Sequence, residues 1–293
     1  MPDRPRVFDP ESRTTELVGR PRPTVRDAYH LLLSAPWWID LAVIAGMFLL
    51  VNLVFAGLYL VVGGVDQARP GSFADAFFFS VQTLATIGYG QMHPVSAGAN
   101  VLVTVEALFG LVITALATGL VFAKFSVVRP RFVFARVAVV TPLDGIPTLM
   151  VRVGNERGNY IVDAAVHLVL MRTERTAEGP TLYRMHDLTP VRERSPAFVR
   201  GWVVMHAIDD ESPLHGATAE SLRASDSELL VTLAGVDGTT GQYVHARHSY
   251  LDDEILFGRR YVDLVTELPD GRIRIDLRRF HEVQPDGPAS PPE

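Results

Sequence analysis

Five consecutive residues, Thr86-Ile87-Gly88-Tyr89-Gly90, offer a threonine hydroxyl, two glycines and an unbroken run of backbone carbonyls. Gly88 and Gly90 lack a Cβ, so alternate residues can take backbone angles that turn successive carbonyls to the same side, while Thr86 adds a hydroxyl oxygen at one end. Repeated around an axis, such loops stack rings of oxygen that replace the water around a dehydrated cation. The chemistry on offer is coordination, not bond making.

Such a loop has to be held by something. Residues 73–84 just before it form an apolar stretch of about twelve residues, too short to cross a bilayer. They fit a re-entrant half-helix capped by Ser72, with Asp75 in its first turn where the positive end of the dipole favours a carboxylate. Non-helical backbone at that depth is tolerated only where it is buried in protein or lines water.

Longer apolar runs flank this segment. From 39 to 62 the only charge is Asp40, and about 24 residues rising 1.5 Å each give about 36 Å, enough for a hydrocarbon core of about 30 Å. The second run, 95–125, carries only Glu106 and Lys124 and can also cross with tilt. A cleaved signal peptide is the competing reading of the first run, but a long polar stretch precedes it and it exceeds a signal core in length.

The whole composition agrees. The chain has 293 residues, 48% of them hydrophobic, and a mean hydropathy of +0.18, more apolar than one soluble core requires. Charged residues make up 20%, the formal net charge is -6 and the isoelectric point is near 5.9, which sets nucleic-acid binding aside. With no cysteine, disulfides, thiolate metal sites, iron–sulfur clusters and cysteine nucleophiles are excluded together.

Arg4, Arg6, Arg13, Arg20, Arg22 and Arg26 precede the first span, Lys124, Arg129, Arg131 and Arg136 close or follow the second, and only Arg69 lies between. Both termini are therefore expected in the cytoplasm. Val25, Ala28, Tyr29, Leu32 and Leu33 fall at helical spacing opposite Arg26, Asp27 and His30, and Pro36 ends the pattern before the Trp37-Trp38 pair. This reads as an interfacial slide helix, with a short amphipathic helix packed on protein as the alternative.

With these elements in place the chain resembles the inward rectifier potassium channels, specifically the prokaryotic branch often called KirBac. The filter motif matches apart from Ile87 at the usual valine position. Ala123-Lys124, Asp210-Glu211-Ser212-Pro213-Leu214, Ala246-Arg247-His248-Ser249-Tyr250 and Glu254-Ile255-Leu256-Phe257-Gly258 are similar to the family's other signatures. Voltage-gated channels share the filter but have four further spans and an arginine-rich sensor, which this sequence lacks. The resemblance implies a homotetramer in a bacterial inner membrane that conducts potassium passively, without enzymatic activity or cofactor, binding the ion at Thr86, Ile87, Gly88 and Tyr89. It also implies a membrane α plus β architecture: two transmembrane helices with a re-entrant pore helix and filter, followed by a cytoplasmic immunoglobulin-like β-sandwich.

The expected organisation is a cytoplasmic N-terminus and slide helix over 1–36 and a pore domain over 37–128. Within it lie spans at 38–62 and 95–125, a pore helix at 73–84 and the filter at 86–90. A β-sandwich over 129–283 and a disordered Pro-rich tail over 284–293 follow. Strand-like runs at 133–140, 148–153, 160–172, 202–208, 228–233, 242–247 and 272–277 support the β assignment. A soluble all-β enzyme is the competitor, but G-x-S-x-G, H-E-x-x-H and P-loop motifs are all missing, and His245 and His248, three apart on a strand, would face opposite ways.

Thr114, Thr118 and Phe122 recur every four residues, and Ala107 and Gly110 continue their face toward the filter. They either line a water-filled cavity, with Phe122 as a hydrophobic constriction, or pack between helices. Glu106 stands about 12 Å along the helix from Thr114, and a carboxylate there costs about 2.5 to 3.5 kcal/mol unless partnered. It is expected to brace the back of the filter by hydrogen bonds, as a carboxylate or in its protonated form.

By resemblance, Thr114 occupies the place where strong rectifiers carry an acid that attracts polyamines, so weak rectification is expected, with polyamines or Mg2+ as pore blockers. Asp163 resembles a cytoplasmic-pore acid, or is an ordinary solvated strand residue. The segment from Gly241 to His248 resembles the loop that constricts the cytoplasmic pore. Arg26, Lys124, Arg129 and Arg131 would form a basic ring for anionic lipids, or serve only as positive-inside anchors. Two other functions stay open: a non-conducting membrane sensor or scaffold that uses the pore fold structurally, and a poorly selective cation channel.

Overall fold

The computed structural model describes residues 28–127 and 131–287, which form two compact units divided in sequence at that break. The first unit runs α1 (Ala28–Ser34), α2 (Trp37–Val62), β1 (Val65–Asp66), α3 (Phe73–Leu84), β2 (His93–Pro94) and α4 (Ala97–Ser126). α2 and α4, at 26 and 30 residues with mean hydropathies of 2.5 and 2.2, are both long and apolar enough to cross a membrane. Only 17% of each apolar window is buried within the chain, as expected of helices that are apolar all round and face lipid or other copies.

Local chemistry sets the helix ends. Pro36 separates α1 from α2, Ser72 Oγ accepts from the Asp75 amide at 3.3 Å to open α3, and Ser96 Oγ accepts from the Ala99 amide at 3.1 Å to open α4. That last cap places the start of the second span at Ala97, two residues later than its hydropathy alone indicates. α3 packs on α2 through Phe55, Ala56, Tyr59, Ala76 and Phe79, with the Tyr59 and Phe79 rings edge to face at 5.0 Å. β1 and β2 pair Val65 with Pro94 and Asp66 with His93, tying the C-terminal end of α2 to the chain just after the filter.

The second unit is a β-sandwich. Its first sheet contains β3 (Phe132–Phe134), β4 (Ala138–Leu143), β5 (Ile146–Asn155), β9 (Gly201–Ala207) and β12 (Ile255–Phe257). The second contains β6 (Ile161–Arg175), β7 (Thr181–Leu188), β8 (Arg194–Phe198), β10 (Glu228–Asp237) and β11 (Tyr243–Leu251). Strict alternation puts Leu149, Val151 and Val153 of one sheet and Val166, Leu168, Leu170, Leu229, Val231 and Leu233 of the other into one shared core. Burying each such side chain contributes about 1.5–3 kcal/mol before entropy is counted. A short helix, α5 (Ala219–Ala224), carries a reciprocal Thr218/Ser221 cap, and two small two-stranded sheets pair β13 (Arg259–Tyr261) with β16 (Val283–Pro285) and β14 (Val265–Glu267) with β15 (Ile273–Ile275).

Two expectations need correction, and a third is covered only in part. The run 133–140 is not one strand: β3 pairs with the far end of β5 and β4 with its near end. Two carbonyls of the crossover are taken by side chains instead, Ala135 O by the Tyr250 hydroxyl at 2.8 Å and Val137 O by the Tyr261 hydroxyl at 2.7 Å. Residues 284 and 285 do not belong to a disordered tail, because Gln284 and Pro285 pair with Arg260 and Arg259, while 288–293 lie outside the described residues. Of the slide-helix pattern, α1 accounts for the part from Ala28 onward, and Val25 and Arg26 lie outside the described residues.

Candidate functional site

The C-terminal end of α3 feeds directly into the loop. Thr86 N donates to Thr83 O at 3.0 Å and Ile87 N to Gln82 O at 2.8 Å, so the loop's first peptides hang from the last turn of the half-helix. Thr86, Gly88 and Gly90 all have positive φ, at 55°, 56° and 79°, and Ile87 and Tyr89 between them do not. The alternation anticipated from the glycines is therefore present, and it extends to Thr86, a residue for which left-handed backbone is unfavourable and must be held by its surroundings. All five residues are exposed in the single chain.

At the N-terminal end of α3, the Asp75 carboxylate takes the Arg69 guanidinium through two contacts, Nε at 2.9 Å and a terminal nitrogen at 2.8 Å, and also accepts from the Arg69 amide. The basic residue between the spans is thus committed to the pore-helix cap. At the C-terminal end of α3, Leu84 meets α4 at Gly110, where an added Cβ would stand 2.5 Å from the Leu84 carbonyl oxygen. Glycine there lets the two helices touch backbone to backbone.

Glu106 is completely buried. Its Oε2 accepts from the Tyr59 hydroxyl at 2.6 Å and its Oε1 contacts Ser80 Oγ, so the carboxyl joins α4 to α2 and α3 behind the filter segment. Ser80 Oγ also reaches Asn52 Oδ1 at 2.9 Å, and Tyr59, Ser80 and Asn52 are partners the sequence reading did not name. The spacing of Asn52 and Tyr59, seven apart on one face of an apolar span, was the available signal.

Further along α4, Thr114, Thr118 and Phe122 are all exposed on the single chain, Phe122 by 73%, so none of the three packs into this subunit's own core. Lys124 behaves differently from the expectation of a headgroup ligand. Its ammonium is buried, paired with Asp40, and donates to the carbonyls of Leu32 at 3.2 Å and Ala35 at 2.7 Å, which uses all three donors inside the chain. Trp37 lies 5.2 Å from it as a cation–π partner. Of the other basic residues grouped with it, Arg131 is exposed, and Arg26 and Arg129 lie outside the described residues.

In the second unit, Asp163 sits at a β-bulge. The β6–β10 register shifts between Ala234 and Val236, and Asp163 has φ 50°, a geometry that re-aims its side chain. Its carboxylate is not a free acid: it forms a bidentate pair with Arg194 of β8, Nε to Oδ1 being 2.9 Å. Gly241, φ 69°, closes the β10–β11 turn. That turn is organised by the buried Asp237, whose carboxylate accepts from the amides of Thr239 at 2.9 Å and Thr240 at 3.0 Å and from Asn159 Nδ2 at 2.7 Å. Burial pushes the Asp237 carboxyl up, but these three donors outweigh it and leave it below the usual carboxylate range.

The Asp210–Leu214 signature also acquires a reason. His206 bridges Thr189 O at 2.8 Å and Ser212 Oγ at 2.7 Å, Ser212 Oγ accepts from the Leu214 amide, and Leu214 enters the core.

Two family models match the chain, an ion channel family over residues 46–126 and the inward rectifier potassium channel C-terminal domain over residues 132–289. The inward rectifier potassium channel Kirbac3.1 of Paramagnetospirillum magnetotacticum is 47% identical over 283 residues, covering 96% of each chain. The G protein-activated inward rectifier potassium channel 3 of Homo sapiens is 31% identical over 306 residues, 96% of this chain and 78% of its own. The ATP-sensitive inward rectifier potassium channel 11 of Mus musculus is 31% identical over 280 residues, 87% of this chain and 71% of its own. These relatives are channels rather than enzymes. With two membrane-length helices, the filter loop between them and a β-sandwich after them, matched over nearly its whole length, the chain belongs to the inward rectifier potassium channel family.

Proposed function

We propose that four copies of this chain assemble around an axis in a bacterial inner membrane, both termini in the cytoplasm, and conduct potassium passively through the filter formed by Thr86, Ile87, Gly88, Tyr89 and Gly90. The observation that carries this reading is the alternation of positive φ at Thr86, Gly88 and Gly90 in a loop suspended from a half-helix. Alternating backbone is what lets successive carbonyls share one side and replace a potassium ion's hydration shell. The exposure of Thr114, Thr118 and Phe122 supports a cavity face on α4 with Phe122 as its inner constriction.

Weak rectification accompanies this reading. Thr114 carries no charge, and the Arg194 guanidinium offsets the Asp163 carboxylate, so neither residue presents an uncompensated negative charge to polyamines or Mg2+. The β10–β11 turn at Gly241 is a second constriction. Anionic lipids act on Arg131 together with Arg26 and Arg129, while Lys124 serves the chain internally.

The test is potassium against sodium uptake in liposomes containing the purified protein, with barium as a filter blocker. Potassium-selective, barium-sensitive uptake is expected. Equal passage of both cations overturns the selectivity. No flux through either the wild-type protein or Phe122→Ala, across several lipid compositions, overturns conduction in favour of a sensor or scaffold.

A further inference from the structure

Behind the filter segment, polar groups from three helices form a hydrogen-bonded chain in otherwise apolar surroundings. Tyr59 of α2 donates to Glu106 Oε2 of α4 at 2.6 Å, Glu106 Oε1 contacts Ser80 Oγ of α3, Ser80 Oγ reaches Asn52 Oδ1 of α2 at 2.9 Å, and Asn52 Nδ2 donates to the Phe48 carbonyl at 2.7 Å. All four side chains are buried. Among the described residues no lysine, arginine or histidine contacts Glu106, and Tyr59 is the only titratable group that faces it.

The protons can be counted from one end. The Phe48 carbonyl can only accept, so the Asn52 amide nitrogen must face it, which turns Asn52 Oδ1 toward Ser80. An amide oxygen also only accepts, so the single Ser80 hydroxyl proton is committed to Asn52. The Tyr59 proton is committed to Glu106 Oε2. One contact is left, Glu106 Oε1 to Ser80 Oγ, and no donor remains for it unless the carboxyl supplies one. Two buried oxygens held in hydrogen-bond contact with no proton between them would repel.

We propose that Glu106 is a neutral carboxylic acid that donates to Ser80. It completes a one-directional relay from Tyr59 through Glu106, Ser80 and Asn52 to the Phe48 carbonyl. Every hydroxyl and carboxyl proton of the chain is then used, and a carboxyl at this depth needs no counter-charge. Glu106 acts as a positioning residue: it holds Ser80, and two residues later Gln82 O holds the Ile87 amide of the filter at 2.8 Å. The filter-positioning role rests on the channel reading; the proton does not.

Infrared difference spectra of the full-length protein in liposomes, wild type against Glu106→Gln at neutral pH, test the proton. A carboxylic-acid carbonyl band that shifts in D2O, is lost in Glu106→Gln and moves to higher frequency in Ser80→Ala is the expected result. A wild-type spectrum in which Glu106 contributes only carboxylate bands overturns the assignment, and needs no variant beyond the one that identifies the bands. Flux tests the positioning. The glutamine keeps an N–H for Ser80 and a carbonyl for Tyr59, so its potassium to sodium uptake ratio is expected within about twofold of wild type, while Glu106→Ala loses about tenfold. Equal ratios in all three proteins overturn the positioning role. An acid band in a protein that passes neither cation supports the proton and overturns the channel reading, so the two failures are distinguishable.

Discussion

Lys124 and Asp40 stand 84 residues apart in sequence and meet as an ion pair whose side chains are only 6% and 2% exposed. The Lys124 ammonium also holds the carbonyls of Leu32 and Ala35, so one side chain in the last turn of α4 fastens the end of α1 and the start of α2. The pair links the helix bearing Phe122 to the segment that precedes the first span.

Removing one partner from such a pair leaves a buried charge uncompensated, at a cost of about 3–5 kcal/mol. Asp40→Leu and Lys124→Met are each expected to lower the thermal unfolding midpoint of the purified protein sharply. The double variant Asp40→Leu with Lys124→Met is expected to recover most of the loss. A thermal-shift double-mutant cycle checks this, and simple additivity of the two single changes would count against the buried pair.

How much was legible in the sequence follows from range. The filter, the Ser72 cap and both spans depend on neighbouring residues, and their spacing sufficed to read them. Lys124 read as a headgroup ligand or a positive-inside anchor because a lysine at the end of a span usually is one or the other, and nothing local reveals a carboxylate 84 residues away that meets it. Asp163 read either as a pore acid, by resemblance, or as a solvated strand residue, and its ion pair was not legible: its partner Arg194 lies 31 residues on, and a bulge that turns one residue to φ 50° leaves no mark in composition. β7 was missed because its residues Leu182, Tyr183 and Met185 are exposed, so the strand shows no alternation of buried and polar positions. Glu106 was legible as an outlier, but its partners Tyr59 and Ser80 come from two other helices.

Gly110 gives a test of the contact between α4 and the pore helix. A methyl group at this position meets the Leu84 carbonyl, which is backbone and cannot swing aside, so α3 and α4 must part. Overpacking of this kind costs about 1–3 kcal/mol. Gly110→Ala is expected to lower the unfolding midpoint and to reduce potassium over sodium uptake, because Leu84 is two residues before Thr86. Unchanged selectivity alongside a lowered midpoint would show that the strain is absorbed without reaching the filter.

Arg194→Ala is expected to strengthen block without much effect on stability. Both partners are more than half exposed, at 64% and 56%, so the pair contributes no more than about 1 kcal/mol and salt screens it. Its loss, however, leaves the Asp163 carboxylate uncompensated. Inhibition of potassium uptake by spermine applied from the cytoplasmic side is expected to increase in Arg194→Ala and to return to the wild-type level in Arg194→Ala with Asp163→Asn. No change in spermine sensitivity would remove Asp163 from the ion pathway.

Asp237 makes the β10–β11 turn acid-sensitive. Its carboxyl is held below the usual carboxylate value because the ionised form accepts from Thr239, Thr240 and Asn159, outweighing burial. A folded-state value below the unfolded one means the stabilisation is complete at neutral pH. It begins to fade as pH falls past the ordinary aspartate value of about 4 and is gone once pH has dropped through the depressed folded value. Hydrogen exchange at the Thr239 and Thr240 amides is therefore expected to accelerate below about pH 4 in the wild-type protein, beyond the intrinsic dependence of exchange on pH. Asp237→Asn keeps one carbonyl acceptor but loses the charge, so the same amides should exchange faster already at neutral pH and show no acid step. An acid step of equal size in Asp237→Asn would assign the turn's pH response to another group.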